Sequence, residues 1–140
     1  MVRIKGKAGI GVTKHGKPHD RQFADLYQTP PAVMQLLLRT VSLPDHLPVW
    51  EPFAGEGKIV KELRSCGFRV IASDIKQYGF RLDAIADFFE TPVMAANIIS
   101  NPPYGKRNAL IVPIVERLLK YRADGAMICL LLPSEFDMGK

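Results

Sequence analysis

The chain has 140 residues, of which 47% are hydrophobic and 24% charged, and its formal net charge at pH 7 is +5. This length suits one domain, and the composition is that of a globular protein with enough apolar residues to bury a core. No apolar run reaches the roughly 20 residues of a membrane-spanning helix, and no apolar stretch follows the basic N-terminus as in a secretory signal, so we predict no membrane partner.

The cysteines and histidines form no pattern typical of a metal site. Cys66 and Cys129 lie far apart, without a CxxC motif, and two free, buried thiols are favoured over a disulfide. His15, His19 and His46 fall in the N-terminal segment or in a connector, and we expect them to face solvent. We predict that the protein binds no metal and is cytoplasmic.

Positive charge is concentrated at the N-terminus. Residues 1–22 contain six Lys or Arg residues and a single acid, Asp20. Such an arm favours a polyanionic partner, although a solvated terminus rich in Gly and Lys would have the same composition. We therefore divide the chain into a basic arm, residues 1–22, and a core domain, residues 23–140.

The first predicted helix begins near Thr29. Thr29 can serve as the N-cap, and Pro30 suits the first helical position because its missing N–H is not needed there. Four apolar residues recur at helical spacing, and we expect them to form the buried face: Val33, Leu36, Leu37 and Val41.

Strands and helices alternate through the rest of the chain. Short, largely apolar segments predict the strands 49–53, 69–73, 80–83, 96–100 and 126–132, of which 80–83 is the least regular. A helix over 58–66 is expected to end at Gly67, and a second has its apolar positions between 111 and 119, where Pro113 should delay or kink it. This alternation predicts an α/β fold with a parallel sheet covered on both faces, and ligands at the carboxyl ends of its strands.

A glycine-rich turn, Glu51-Pro-Phe-Ala-Gly-Glu-Gly57, joins the first strand to its helix. Glycine lets a ligand approach the backbone closely, although a tight turn without a ligand would have the same sequence. A dinucleotide fingerprint would place Gly or Ala three positions after Gly57, where Val60 stands, so nicotinamide chemistry is disfavoured.

An acidic residue, Asp74, follows the second strand, 23 residues after Glu51. This distance is the span of one strand–helix–strand unit. A carboxylate at the end of this strand can accept both hydroxyls of a ribose, while an Asp that only caps a turn or a helix would occupy the same position.

The most specific motif is Asn101-Pro-Pro-Tyr104, which follows the apolar strand 96–100. Two consecutive prolines fix the backbone and remove two N–H donors, which leaves a rigid corner rich in acceptors. Asn101 adds a side-chain carbonyl and Tyr104 an aromatic face, so the corner can hold an amino group while a ring stacks on a planar base.

Together these motifs resemble the S-adenosylmethionine-dependent N6-adenine methyltransferases. The resemblance spans roughly residues 23–136 and implies S-adenosylmethionine as cofactor, adenine in DNA as substrate, and the Rossmann-like, doubly wound, mostly parallel sheet of class I methyltransferases. The matching segments, in the family's order, are Asp25-Leu-Tyr27-Gln-Thr29-Pro30, Glu51 to Gly57, Asp74, Asp87-Phe88 and Asn101 to Tyr104.

The resemblance implies a role for each matching residue. The methionine part of the cofactor would be held by Tyr27, Thr29, Pro30, Glu51 and the backbone of Ala54, Gly55 and Gly57. The nucleoside part would be held by Asp74 at the ribose, Ile75 packed on the adenine, Asp87 at the adenine amino group and Phe88 beside the ring. Asp83 lies close enough to compete with Asp87.

The catalytic residues implied by the resemblance are Asn101, Pro102 and Tyr104. The Asn101 side-chain oxygen and the Pro102 carbonyl would accept hydrogen bonds from the two N–H groups of the amine, which favours the pyramidal transition state. Tyr104 would stack on an extruded base. Lys106 and Arg107 are placed to meet flanking phosphates, or else belong to a solvated loop.

Three alternative functions stay open: methylation of RNA adenine, methylation of a protein glutamine amide, and a non-catalytic remnant that binds cofactor or nucleic acid. The basic arm disfavours glutamine, and DNA is favoured over RNA. The family's sheet continues beyond the fifth strand into an antiparallel hairpin, whereas this sequence ends at Lys140, so we expect the hairpin to be missing.

Overall fold

The computed structural model describes residues 29–137, so the predicted arm and Tyr27 lie outside the described residues. The helices are α1 (Pro31–Thr40), α2 (Lys58–Ser65) and α3 (Ile111–Tyr121). The strands are β1 (Val49–Glu51), β2 (Val70–Asp74), β3 (Ala84–Ile85), β4 (Asn97–Ser100) and β5 (Ile128–Leu130). Two 3₁₀ turns cover Lys106–Asn108 and Ser134–Asp137. No helix in this part of the chain is long and apolar enough to cross a lipid bilayer.

The five strands form one sheet in the order β3-β2-β1-β4-β5, and every neighbouring pair is parallel. The predicted α/β fold with a parallel sheet is thereby confirmed, and the arrangement is compatible with a Rossmann-like fold. The chain runs outward from β1 in one direction through β2 and β3, then in the other through β4 and β5. In such sheets the crevice beside the strand where the order reverses is the usual ligand site.

Two apolar layers cover the sheet, because successive residues of a strand point to opposite faces. Val49 packs in the layer that contains α1 and α2, whereas its neighbour Trp50 packs in the layer that contains α3. Ile99 and Ile98 of β4 divide in the same way. Helices therefore lie on both faces, as the continuous apolar strands predict.

The start and the buried face of α1 differ from the prediction. Pro30 is the N-cap and makes no side-chain cap, so Thr29, which is buried, does not cap the helix. Met34 is 1% exposed and Leu36 is 52% exposed, the reverse of the predicted face. The helix has apolar residues of its own on most of its sides, so periodicity alone could not select the side that meets the sheet.

Pro113 neither delays nor kinks α3, which begins at Ile111. Pro113 is the third residue of the helix, where a backbone N–H has no partner four residues earlier within the helix, so its missing donor costs nothing. Leu119, predicted on the apolar face, is 56% exposed. The short strand predicted at 80–83 lies instead at Ala84–Ile85, after the turn that contains Phe80.

Both cysteines are free thiols, and one of them is not buried as predicted. Cys66 is exposed because it follows the last residue of α2, while Cys129 lies half-buried on β5. Burial raises the pKa of the Cys129 thiol, because an apolar surrounding disfavours the thiolate.

Candidate functional site

An open, shallow cleft lies at the carboxyl ends of the strands. Four residues assigned to the nucleoside part of a cofactor line it: Asp74, Ile75, Asp87 and Phe88. Asp74 ends β2 and Asp87 follows β3, so the parallel pairing of these two strands brings the acids to one edge of the sheet. The cleft thus combines two carboxylates with an apolar wall.

Asp74 fastens the glycine turn to the end of β2. One of its carboxylate oxygens accepts the Gly55 N–H at 2.8 Å, and the other accepts the Ile75 N–H at 2.7 Å. The Ala54 N–H also donates to the Ser73 carbonyl at 2.9 Å. Asp74 is 1% exposed, and these donors hold its carboxylate in one orientation at the wall of the cleft.

The glycines of the turn have a local explanation, which the sequence had left open beside a ligand site. Gly55 and Gly57 both have positive φ, 54° and 78°. A Cβ at Gly57 would lie 2.4 Å from carbons of the Phe80 ring. The close approach at Gly57 is therefore made by a side chain of the same protein, so the structure favours glycine here with or without a ligand.

Glu51 joins the glycine turn to the strand that leads into the Asn-Pro-Pro-Tyr corner. Its side chain is 1% exposed, and one carboxylate oxygen accepts the Phe53 N–H at 2.9 Å and a short hydrogen bond from the Ser100 hydroxyl. Ser100 immediately precedes Asn101. This buried carboxylate therefore fixes two of the predicted motifs to each other across β1 and β4.

The corner itself is held by the end of β5. The Tyr104 hydroxyl lies 3.3 Å from the Leu131 carbonyl and 3.4 Å from the Asn101 side-chain oxygen. Asn101 is 8% exposed and Pro102 is buried, whereas Tyr104 is half-buried against the α3 layer. Pro103 lines the same cleft as Asp74, whereas Asn101, Pro102 and Tyr104 do not, so the corner borders the cleft through Pro103.

The two candidate acids after β2 have different surroundings. Asp83 accepts the Ala72 N–H at 2.7 Å and forms an ion pair with Arg64 at 3.0 Å. Asp87 lines the cleft, and one of its oxygens accepts the Phe89 N–H at 2.9 Å. Asp83 thus has a structural role, and Asp87 is the one of the two that lines the cleft.

An aromatic cluster forms one wall of the cleft. The Phe88 ring lies 4.9 Å from that of Phe53 and 5.2 Å from that of Phe89, and all three residues line the cleft. Of these three rings, only Phe88 was predicted as a site residue. Phe53 and Phe89 directly adjoin predicted site positions, which was a usable signal, but Leu110 enters the lining through a tight turn that no motif indicates.

Other predicted site residues lie apart from this cleft. Within residues 29–137, Thr29 and Pro30 do not line it, and no contact assigns them a ligand role. Lys106 and Arg107 are exposed on the 3₁₀ turn that follows the corner. Arg107 has a left-handed backbone with φ 54°.

Comparisons with known proteins add no relative: no protein-family model, no curated protein and no solved structure matches this chain. The described residues contain no group of three or more His, Cys, Asp or Glu side chains that could hold a metal ion.

Proposed function

We propose that this chain is the catalytic core of an S-adenosylmethionine-dependent methyltransferase that acts on the N6 amino group of adenine in DNA. One observation carries the proposal: Pro103 of the Asn-Pro-Pro-Tyr corner lines the same cleft as Asp74 and Asp87. A site with acceptors for a nucleoside thus borders a corner suited to an amino group. The resemblance in motif order supports the same conclusion.

The lining of the cleft suits a nucleoside cofactor in its chemistry. Asp74 would accept the ribose hydroxyls and Asp87 the adenine amino group, since carboxylates are acceptors with two oxygens each. Ile75 and the phenylalanine wall would pack on the faces of the adenine. When bound, S-adenosylmethionine supplies an electrophilic methyl group on a sulfonium.

The corner would activate the target nitrogen without a strong base. The lone pair of an adenine amine is delocalised into the ring, so hydrogen bonds that favour a pyramidal nitrogen increase its nucleophilicity in the transition state. The Asn101 side-chain oxygen and the Pro102 carbonyl would accept hydrogen bonds from the two N–H groups of the amine, and the proton that the nitrogen loses on methylation would pass to water. The Tyr104 hydroxyl, beside the Asn101 oxygen, would help to orient that amide.

A nucleic acid is the proposed substrate because of the positive charge on the chain, and the motif resemblance favours DNA. Lys106 and Arg107 are exposed immediately after the corner, where they would meet the phosphates beside an extruded base. The basic residues of 1–22 would add sequence-independent attraction. We place the activity in the cytoplasm, the usual compartment for a protein with free thiols.

The proposal is tested by incubating the full chain with cofactor that carries a tritiated methyl group, in separate pools of DNA, RNA and protein. We expect label in DNA, recovered as N6-methyladenine after digestion to nucleosides. Label in RNA or in protein glutamine instead would replace the proposed substrate, and the absence of label from every pool would refute an active enzyme.

The role of Asn101 is tested in the same assay with the Asn101→Ala variant. Removal of one transition-state partner should lower turnover by about two to three orders of magnitude and leave cofactor affinity unchanged. Gln35→Ala, which alters an exposed amide on α1, is the matched control and should retain full activity. Near-normal turnover by the Asn101 variant would refute the assigned mechanism.

A further inference from the structure

We propose that Arg117 is a positioning residue for the cofactor cleft, acting through the segment 87–91, and this inference rests on the proposed function. Arg117 lies on α3, outside the cleft and outside every sequence motif. Its guanidinium contacts the segment that carries Asp87 and Phe88, the two residues that would meet the adenine of the cofactor.

The segment 87–91 is a turn closed on itself. The Phe89 N–H donates to the Asp87 carboxylate at 2.9 Å, and the Glu90 N–H donates to the Asp87 carbonyl at 3.1 Å. The Thr91 hydroxyl donates to the same carbonyl at 2.7 Å. These bonds are all local, so they set the shape of the turn but not its place on the sheet.

The buried Phe88 ring packs the turn against Phe53, and Arg117 adds a polar link from the turn to α3. One guanidinium nitrogen donates to the Thr91 carbonyl at 2.8 Å. The guanidinium carbon lies 5.8 Å from the centre of the Phe88 ring and 5.4 Å from that of Tyr121. The cation thus holds both the end of the turn and the aromatic wall of the cleft.

The surroundings of Arg117 favour this role over a general contribution to charge balance. Within residues 29–137 no carboxylate pairs with it, and its Nε is buried without a hydrogen-bond partner. Burying a charged group in this way costs stability, which the contacts with Thr91 and the two rings must offset. Two of these contacts, with Thr91 and with the Phe88 ring, are made on the 87–91 segment.

The positioning itself is measured on the full chain without cofactor. In Arg117→Ala, the amides of Phe89 and Glu90 should exchange hydrogen at least tenfold faster, because the turn loses its hydrogen bond and its ring contact with α3. The emission of Trp50, the sole tryptophan, should shift, since its ring lies 6.0 Å from that of Phe88. Lys120→Ala is the matched control, because Lys120 contacts the Tyr121 ring at 5.1 Å and has no described contact with 87–91.

The functional consequence is measured by calorimetry with S-adenosylmethionine and with adenosine. Arg117→Ala should weaken both by the same factor, of the order of tenfold, because both ligands carry the adenine that Asp87 and Phe88 would meet. In turnover the KM for cofactor should rise and kcat at saturation should be nearly unchanged. Arg117→Lys, which keeps a cation and a donor, should recover most of the affinity.

The outcomes separate this inference from the proposed function. If the wild-type chain binds cofactor and Arg117→Ala binds it equally well, or if the amides of 87–91 stay protected, the positioning role is refuted and the proposed function stands. If the wild-type chain binds no S-adenosylmethionine, the proposed function fails first and this inference fails with it.

Discussion

Three aspartates near the cleft differ in what their carboxylates contact. Asp74 orients backbone amides of the glycine turn, Asp87 orients the turn that follows β3, and Asp83 pairs with Arg64 on the surface. Asp74 is buried at the wall of the cleft, while 51% of the Asp83 side chain is exposed. A ligand that enters the cleft meets the first two and not the third.

Asp74→Ala should weaken S-adenosylmethionine binding by about 1–3 kcal/mol, because buried ribose hydroxyls would be left without an acceptor. The measurement is calorimetry on protein whose thermal unfolding shows that it is folded. Asp83→Ala is the matched control: it removes an acid of the same type beside β2, and cofactor affinity should stay at the wild-type value. Tight binding unchanged in the Asp74 variant would remove Asp74 from the site.

Single residues of the site were predictable where a motif and a strand end coincide. Asp74 and Asn101 each follow an apolar strand, so topology alone places both at the same edge of the sheet. The spacing could not separate Asp83 from Asp87, because the choice depends on where β3 begins. Arg117 gave no signal, since a cation on a helix surface is usual and its contacts with Thr91 and Phe88 exist only in the folded chain.

At the scale of elements, the turn between β1 and α2 is shaped by packing as well as by any ligand. Gly57 is the N-cap of α2 and has a left-handed backbone, with φ 78° and ψ 20°. The ring of Phe80 covers it, and the Lys61 ammonium lies 5.3 Å from the centre of that ring. The segment after β2 therefore closes over the start of α2, which explains why the next strand begins only at Ala84.

Gly57→Ala should lower the free energy of unfolding by about 2–4 kcal/mol, since it combines a left-handed alanine with displacement of the Phe80 ring. Gly67→Ala is the matched control, because Gly67 also has positive φ, 87°, but no atom lies within 4 Å of its added Cβ. It should cost about 1–2 kcal/mol. Urea unfolding of both variants gives the comparison.

A double-mutant cycle tests whether Phe80 causes the difference in cost between the Gly57 and Gly67 substitutions. In a Phe80→Ala background, Gly57→Ala and Gly67→Ala should cost nearly the same, because the colliding ring is gone. Equal costs in the wild-type background would show that the Phe80 ring yields freely, and the local explanation of Gly57 would then be wrong.

Strands and helices were predicted well where the apolar pattern of the sequence is compatible with a single structure. The apolar strands are covered on both faces, so their sequence predicts a parallel sheet whatever the exact ends. The face of α1 was wrong because Met34 and Leu36 are both apolar, and only the sheet decides between them. Pro113 misled because its effect depends on its place in the helix, which the sequence left open by a few residues.

Over the whole molecule, charge and site are separated along the chain. Residues 1–22 carry six basic residues and one acid, whereas residues 23–140 carry thirteen of each, so the net charge of +5 belongs to the N-terminal arm. The core is formally neutral, and its exposed cations nearest the corner are Lys106 and Arg107. Affinity for nucleic acid and recognition of the target base should therefore depend on different residues.

We expect the full chain to bind duplex DNA with a marked dependence on salt and little preference among sequences. Phosphate contacts release counterions, and each one contributes a slope of about −0.9 in the logarithm of the binding constant against that of the salt concentration. Replacing the six basic residues of the arm with Gln should flatten this slope and weaken binding similarly on every duplex. Titrations on several unrelated duplexes at two salt concentrations provide the measurement.

The double variant Lys106→Gln, Arg107→Gln is the control that separates the position of the cations from their number. It removes two cations, so its effect on the salt slope should be smaller than that of the arm, while its effect on methyl transfer should be larger, because the lost cations adjoin the corner that would hold the extruded base. An affinity that does not change with salt, or a hundredfold preference for one duplex, would contradict this division of affinity and base recognition between the arm and the corner. It would then follow that the core, despite its formal neutrality, carries a recognition surface of its own.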